Sequence, residues 1–187
     1  FGSPEVALTM YITGQMARFY DVPWRASGTK TGSQSPDLYA GYDSILKTYP
    51  AILGGCNWTT HCGGTMEGSL ALNLAKIPLD AEQLENLYVM ASGLDFDDLS
   101  LALNVIKDVG PGGHFLGTDY TRTHPPFLAD LQDNERFETW VSNGSEDAEA
   151  RGRKGFRKLL ERYEDNPPIL AQDIDEELLR FIRQRAQ

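Results

Sequence analysis

The segment "SPDLYAGYDSILKTYPAILGGCN", Ser35 to Asn57, holds a helix start, a helical stretch and a small-apolar run that ends in paired glycines. Ser35-Pro36-Asp37 has the chemistry of a helix N-terminus, with a capping hydroxyl, a proline in the first turn and an acid near the positive end of the dipole. A helix is expected to about Tyr49, and Ala51–Asn57 then reads as a buried strand of the parallel type. The same grammar occurs just upstream. Ser3-Pro4-Glu5 opens a helix whose stripe is Leu8, Tyr11, Ile12, Met16 and Phe19, ended by Asp21. Val22–Ser27 reads as its strand, with Pro23 near the start, where proline is tolerated. Helix–strand–loop repeated twice is the signature of a parallel α/β sheet.

Downstream, helices are predicted over Leu79–Ser92, stopped by Gly93, and over Asp97–Val109, with Leu99, Leu103 and Ile106 on one face. Gly110-Pro111-Gly112-Gly113 ends the second, and His114–Thr118 reads as a short third strand. After Pro125-Pro126 the chain turns charged and helical, with helices near Phe137–Val141, Glu146–Tyr163 and Ile174–Arg185. Asp173 with Glu176 resembles a capping box, and Asn166-Pro167-Pro168 is the linker before it. The expected division is residues 1–126 as β/α units and 127–187 as a helical extension.

Composition narrows the function. The 187 residues are 41% apolar and 24% charged, ordinary for a globular domain, and the net charge of −10 argues against nucleic-acid binding. The cluster Arg151, Arg153, Lys154, Arg157, Lys158 and Arg162 is flanked by acids and reads as a solvated helix face with i,i+4 pairs. No apolar run is long enough for a membrane span. Phe1 is not an initiator methionine and no signal segment follows it, so a piece of a longer, cytoplasmic polypeptide is expected, its two cysteines reduced.

Ligands of parallel α/β units bind beyond the carboxyl ends of the strands. The loops there are Ser27–Gln34, Asn57–Gly68 and Thr118–His124. The second lies within "GGCNWTTHCGGTMEG", Gly54 to Gly68, which holds Cys56, Trp58, His61, Cys62 and Glu67. Cys56, His61 and Cys62 are zinc-type ligands, but C-x4-H-C is not a finger spacing, and His114 or His124 would have to be recruited. Cys62 beside His61 also suggests a thiol nucleophile, without an identifiable orienting carboxylate. Trp58, Tyr39 and Tyr42 with Glu67 form a third possibility, an aromatic and carboxylate pocket suited to a cation. "GPGGHFLG", Gly110 to Gly117, is glycine-rich but follows a helix, unlike a dinucleotide loop.

Four segments, Gly2–Gly28, Asp37–Trp58, "GGTMEGSLALNLAKIPLDAEQL" from Gly63 to Leu84 and "VIKDVGPGGHFLGTDYT" from Val105 to Thr121, resemble the trimethylamine methyltransferase family in order and spacing. The resemblance is weakest over residues 127–187. It implies the later strands of a TIM (β/α)8 barrel, with its N-terminal part absent here, followed by a helical C-terminal extension. It also implies transfer of a methyl group from a methylated amine to the Co(I) corrinoid (cobalamin) of a separate partner protein. Every residue here is standard, whereas the trimethylamine enzymes carry pyrrolysine, so the resemblance points to the branch that demethylates quaternary amines such as glycine betaine. That chemistry needs no bound metal. On the loop geometry, Trp58 and His61 would wall the pocket, Glu67 would face the cation, Thr29 and Lys30 would come from the loop after the first strand, and His114 and Asp119 from the glycine-rich segment. Lys30 would pair a substrate carboxylate. The alternatives are a zinc-dependent methyl transferase or hydrolase using Cys56, Cys62 and a histidine, and a non-catalytic domain that binds quaternary amines. A homo-oligomer, or association with the N-terminal half, is expected to cover the open sheet edges.

Overall fold

The computed structural model describes residues 2–94, 96–97, 101–164 and 169–185. The described residues form a mixed α/β, helix-rich chain. Helix α1 (Pro4–Phe19) leads to strand β1 (Arg25–Ser27), α2 (Leu38–Leu53) and β2 (Trp58–Thr60). Short strands β3 (Thr65–Met66) and β4 (Ala71–Leu72) flank a 3-10 turn, Glu67–Ser69. Helices α3 (Lys76–Ala91), α4 (Leu103–Val109), α5 (Asp119–Thr123), α6 (Phe137–Ser142), α7 (Ala148–Glu164) and α8 (Gln172–Arg185) complete the order.

β1 and β2 are parallel, in the register Arg25 with Trp58 and Ser27 with Thr60, and α2 is their crossover. Pairing runs on at both ends. The Asn57 amide donates to the Trp24 carbonyl (3.0 Å), its side-chain oxygen accepts from the Trp24 amide (2.8 Å), and the Gly28 amide donates to the Thr60 carbonyl (2.7 Å). β3 and β4 pair antiparallel in a hairpin whose first strand lies inside the Asn57–Gly68 segment read above as loop.

Several expected elements differ: β1 covers only Arg25–Ser27 of Val22–Ser27, Asp37 rather than Ser35 caps α2, and α3 begins at Lys76 rather than Leu79. Ala51–Asn57 is not the second strand: α2 continues through Pro50 to Leu53, and the strand begins at Trp58. Small apolar residues suit a buried helix as well as a buried strand, and periodicity over seven residues does not separate them. His114–Thr118 is a series of turns and bends with no strand pairing, following Gly110 and Gly112 at positive φ. The α8 helix starts at Gln172, so Asp173 lies inside its first turn rather than at its cap. The described part of the Asp97–Val109 helix is α4, while Leu99 and the Asn166–Pro168 linker fall outside the described residues.

The helices bury an unusual face. In α1 the apolar stripe faces outward, with Leu8, Ile12, Met16 and Phe19 between 44% and 76% exposed, while Met10 and Gly14 are buried. Met10 joins Ala26 and Ala51 in a small core with Val6, Trp24 and Cys56 against it. A Cβ on Gly14 would stand 2.3 Å from the Gly54 carbonyl oxygen, so α1 meets the end of α2 nearly backbone to backbone. Arg18 from the last turn of α1 caps that end by donating to the same carbonyl. In α2 the buried positions include Ala40, Ser44, Lys47 and Thr48, and in α3 they include Lys76 and Asp80. The two helices are therefore polar inside. On the far side of α3, α7 packs closely because Gly152 sits against the Ala75 carbonyl.

Candidate functional site

The carboxyl ends of β1 and β2 lead into the loops 28–37 and 61–64, and a network of hydrogen bonds ties them together. The Thr31 amide donates to Thr65 (3.2 Å), the Gly68 amide to Thr31 (2.8 Å) and the Glu67 amide to Ser33 (3.2 Å). The Thr29 hydroxyl donates to the His61 carbonyl (3.4 Å). Thr31 is fixed from below, where its hydroxyl donates to the Asp43 carboxylate (2.7 Å), which also accepts from the Gly32 amide (3.0 Å). Lys30, half-buried, thus lies between two fully buried threonines.

His61 and Glu67 take left-handed backbone (φ 58° and 45°), as does Ser69 (φ 92°). Non-glycine residues there carry a strain cost, and such strain concentrates at functional sites. The first of these hydrogen-bonded segments thus carries Thr29 and Lys30, and the second carries His61 and, past β3, Glu67. The shifted strand places Trp58 at the amino end of β2, opposite Arg25, with its ring exposed. The described contacts of His114 and Asp119 are local: His114 lies near Gly117, and Asp119 pairs with Arg122 at 2.9 Å on the surface. Tyr39 and Tyr42 are exposed, with rings edge to face at 6.4 Å.

Both cysteines are free and stand at different ends of β2. The Cys56 thiol donates to the Trp58 carbonyl (3.0 Å), while Cys62 lies against Gly28, where a Cβ would be 2.2 Å from its sulfur. Among the described residues, no three His, Cys, Asp or Glu side chains gather in an arrangement that could hold a metal ion. The basic cluster lies on α7. Arg153 pairs with Glu149 (2.8 Å) and Lys154 with Glu146, and Arg151, Lys158 and Arg162 border a cleft of about 510 Å³ whose other wall includes Glu82 and Glu85.

Beneath the loops lies a feature that the sequence reading missed. Lys76 and Asp80 form an ion pair (2.6 Å) with both side chains only 3% exposed. The Lys76 ammonium also donates to the Thr29 carbonyl (2.8 Å) and the Ser44 hydroxyl (3.3 Å). Asp80 accepts from the Gly64 amide (2.8 Å). Burial pushes the Asp80 carboxyl above the usual range, against the opposing pull of Lys76. Lys47, 1% exposed, is held down to about 8 by burial, against the attraction of Asp43 and with Lys76 and Lys30 adding to the fall. On a sequence, lysine and aspartate four apart read as a surface pair. The available signal was their setting, "LAKIPLD", in which every other residue is apolar.

The sequence profile of the family described as Trimethylamine methyltransferase (MTTB) matches residues 1–187. The chain belongs to this family. Within the trimethylamine methyltransferase family, it is 35% identical over 189 aligned residues to a protein named glycine betaine methyltransferase from Desulfitobacterium hafniense (strain Y51), covering 100% of this chain and 39% of that protein. It is 27% identical to a trimethylamine methyltransferase MttB of Desulfitobacterium hafniense (strain DSM 10664 / DCB-2), covering 89% of this chain and 34% of the relative. It is also 27% identical to a proline betaine:corrinoid methyltransferase of Eubacterium limosum, covering 62% of this chain and 24% of the relative. The chain thus spans less than two fifths of the length of each of these family members.

Proposed function

We propose that this chain forms part of a methyltransferase that moves a methyl group from a quaternary amine bearing a carboxylate to the Co(I) centre of a corrinoid protein. The observation that supports the reading is that the loops carrying Lys30, His61 and Glu67 are hydrogen-bonded to one another beyond the carboxyl ends of two parallel strands. Betaine-type names among the relatives support the substrate class. Residues 1–126 would supply later β/α units of a TIM barrel and 127–187 a helical extension, in a cytoplasmic protein. Among the described residues, no helix is long and apolar enough to cross a membrane.

The corrinoid enters as the methyl acceptor. Co(I) attacks the methyl carbon, the C–N bond breaks as the Co–C bond forms, and the electron pair leaves with a neutral tertiary amine. Cobalt ends as methyl-Co(III), and no proton moves. The work of the protein is to hold the cation in line and to exclude water. Lys30 pairs the substrate carboxylate, the Glu67 carboxylate faces the ammonium, His61 walls the site, and Thr29 fixes the backbone next to Lys30.

The test uses the intact protein with Co(I) cobalamin, following methyl-Co(III) formation by absorbance for glycine betaine, proline betaine, tetramethylammonium and trimethylamine. Transfer from the betaines is expected. Lys30→Ala should raise KM about tenfold for a betaine, the effect of losing one charged contact, and leave tetramethylammonium unchanged. Alanine variants of Trp58, His114 and Asp119 measured alongside show whether these residues contribute. Binding of a betaine without transfer, even with the cognate corrinoid protein, would identify a non-catalytic binder and overturn the proposal.

A further inference from the structure

The Lys76–Asp80 pair is costly where it stands. Desolvating two charges offsets most of their attraction, and a well-packed apolar pair of the same volume commonly serves stability as well. What an apolar pair does not do is hold a carbonyl and an amide at once. Lys76 spreads its three N–H groups over both Asp80 oxygens, the Ser44 hydroxyl and the Thr29 carbonyl. Asp80 accepts from the Gly64 amide. Thr29 precedes Lys30, and Gly64 lies between His61 and Glu67. One ion pair thus grips both loops, by groups of opposite polarity. Ser44 completes the grip by donating to the same Thr29 carbonyl (2.8 Å).

We propose that Lys76 and Asp80 are positioning residues, which set the separation between Lys30 on one loop and His61 and Glu67 on the other. Their use in catalysis rests on the function proposed above; the gripping of the loops does not. The pair touches no substrate and acts through the Thr29 carbonyl and the Gly64 amide.

The test uses the intact protein carrying Lys76→Met with Asp80→Leu, which removes both charges together. Gly14→Ala, at the distant contact of α1 with α2, is the control for general destabilisation. In the double variant, amides of residues 28–34 and 61–68 should exchange about tenfold faster, since local opening there becomes easier, while the control leaves them at the wild-type rate. KM for the betaine should rise about tenfold with kcat within about threefold, the pattern of lost substrate positioning. Wild-type exchange rates in both loops of a folded double variant would overturn the proposal. If the double variant does not fold, Ser44→Ala is read by the same exchange measurement, faster exchange at Thr29–Thr31 supporting the proposal and unchanged exchange overturning it. Faster loop exchange in a protein whose wild type transfers no methyl group would overturn the function alone and leave the grip standing.

Discussion

At the scale of single residues, Lys47 is the clearest case of a side chain kept where its charge is disfavoured. Burial depresses its ammonium to about 8 from the usual 10.5, so the unfolded chain holds a proton that the folded chain gives up between those values. Stability therefore carries a penalty below about pH 8, which is relieved as the pH rises toward 10.5. Lys47→Met should stabilise the protein at pH 7 by roughly 1–2 kcal/mol, the shift discounted for solvent screening. Urea unfolding of both proteins between pH 7 and 10.5 should show the gap closing as the pH rises; a gap that stays constant would mean that burial does not shift the lysine. The candidate site was partly legible at this scale. The loops that carry Thr29, Lys30, His61 and Glu67 follow from a strand–loop reading, and hydrogen bonds from Thr29 to His61 and from Glu67 to Ser33 join them. Trp58 shifted because its place depended on where the strand began. Lys76 and Asp80 were not legible, because nothing in an i,i+4 spacing says which way the helix faces.

At the scale of elements, two helix pairs meet through glycine. Gly14 admits the Gly54 carbonyl between α1 and α2, and Gly152 admits the Ala75 carbonyl between α3 and α7, each at 2.3 Å from where a Cβ would stand. Alanine at either position gains helix propensity but must push a backbone carbonyl away. Gly152→Ala should cost about 2 kcal/mol net, within the range for overpacked contacts, and loosen α7 before the β1–β2 pair. Thermal unfolding with exchange resolved by helix checks both parts; an unchanged midpoint would show that the two helices separate at no cost. The repeated helix–strand grammar gave the order of α1, β1, α2 and β2 correctly, but it began β1 too early, ended α2 too early and put the second strand on residues 51–57, none of which lies in β2. α2 carries Pro50 within its last turn, although an interior proline removes one hydrogen bond and crowds the carbonyl four residues back. His114–Thr118 read as a short strand, but between α4 and α5 the chain runs there as turns and bends.

At the scale of the molecule, the apolar stripe of α1 and the aromatic face of α2 point away from the polar interior. Exposed apolar surface of this extent marks an interface. The 187-residue chain expressed by itself should self-associate, and Leu8→Lys with Ile12→Glu should reduce that association severalfold in sedimentation velocity. A dilute monomer of the unaltered chain would show that the stripe tolerates water. The parallel crossover was legible because its helix–strand alternation repeats, whereas the number of strands beyond β1 and β2 is not written in this segment.

The grip of Lys76 on the first loop also has a consequence in time. It reaches Thr29 across 47 positions and Ser44 across 32, so none of its contacts outside α3 exists until large loops have closed. Contacts that need such large loops closed are expected to form after the rate-limiting barrier. Any change in stability on removing both charges should therefore appear almost wholly in the unfolding rate, with the refolding rate nearly unchanged. Stopped-flow refolding and unfolding limbs separate the two, and slower refolding would place the ion pair in the nucleus. On this account the pair governs how long the folded state lasts.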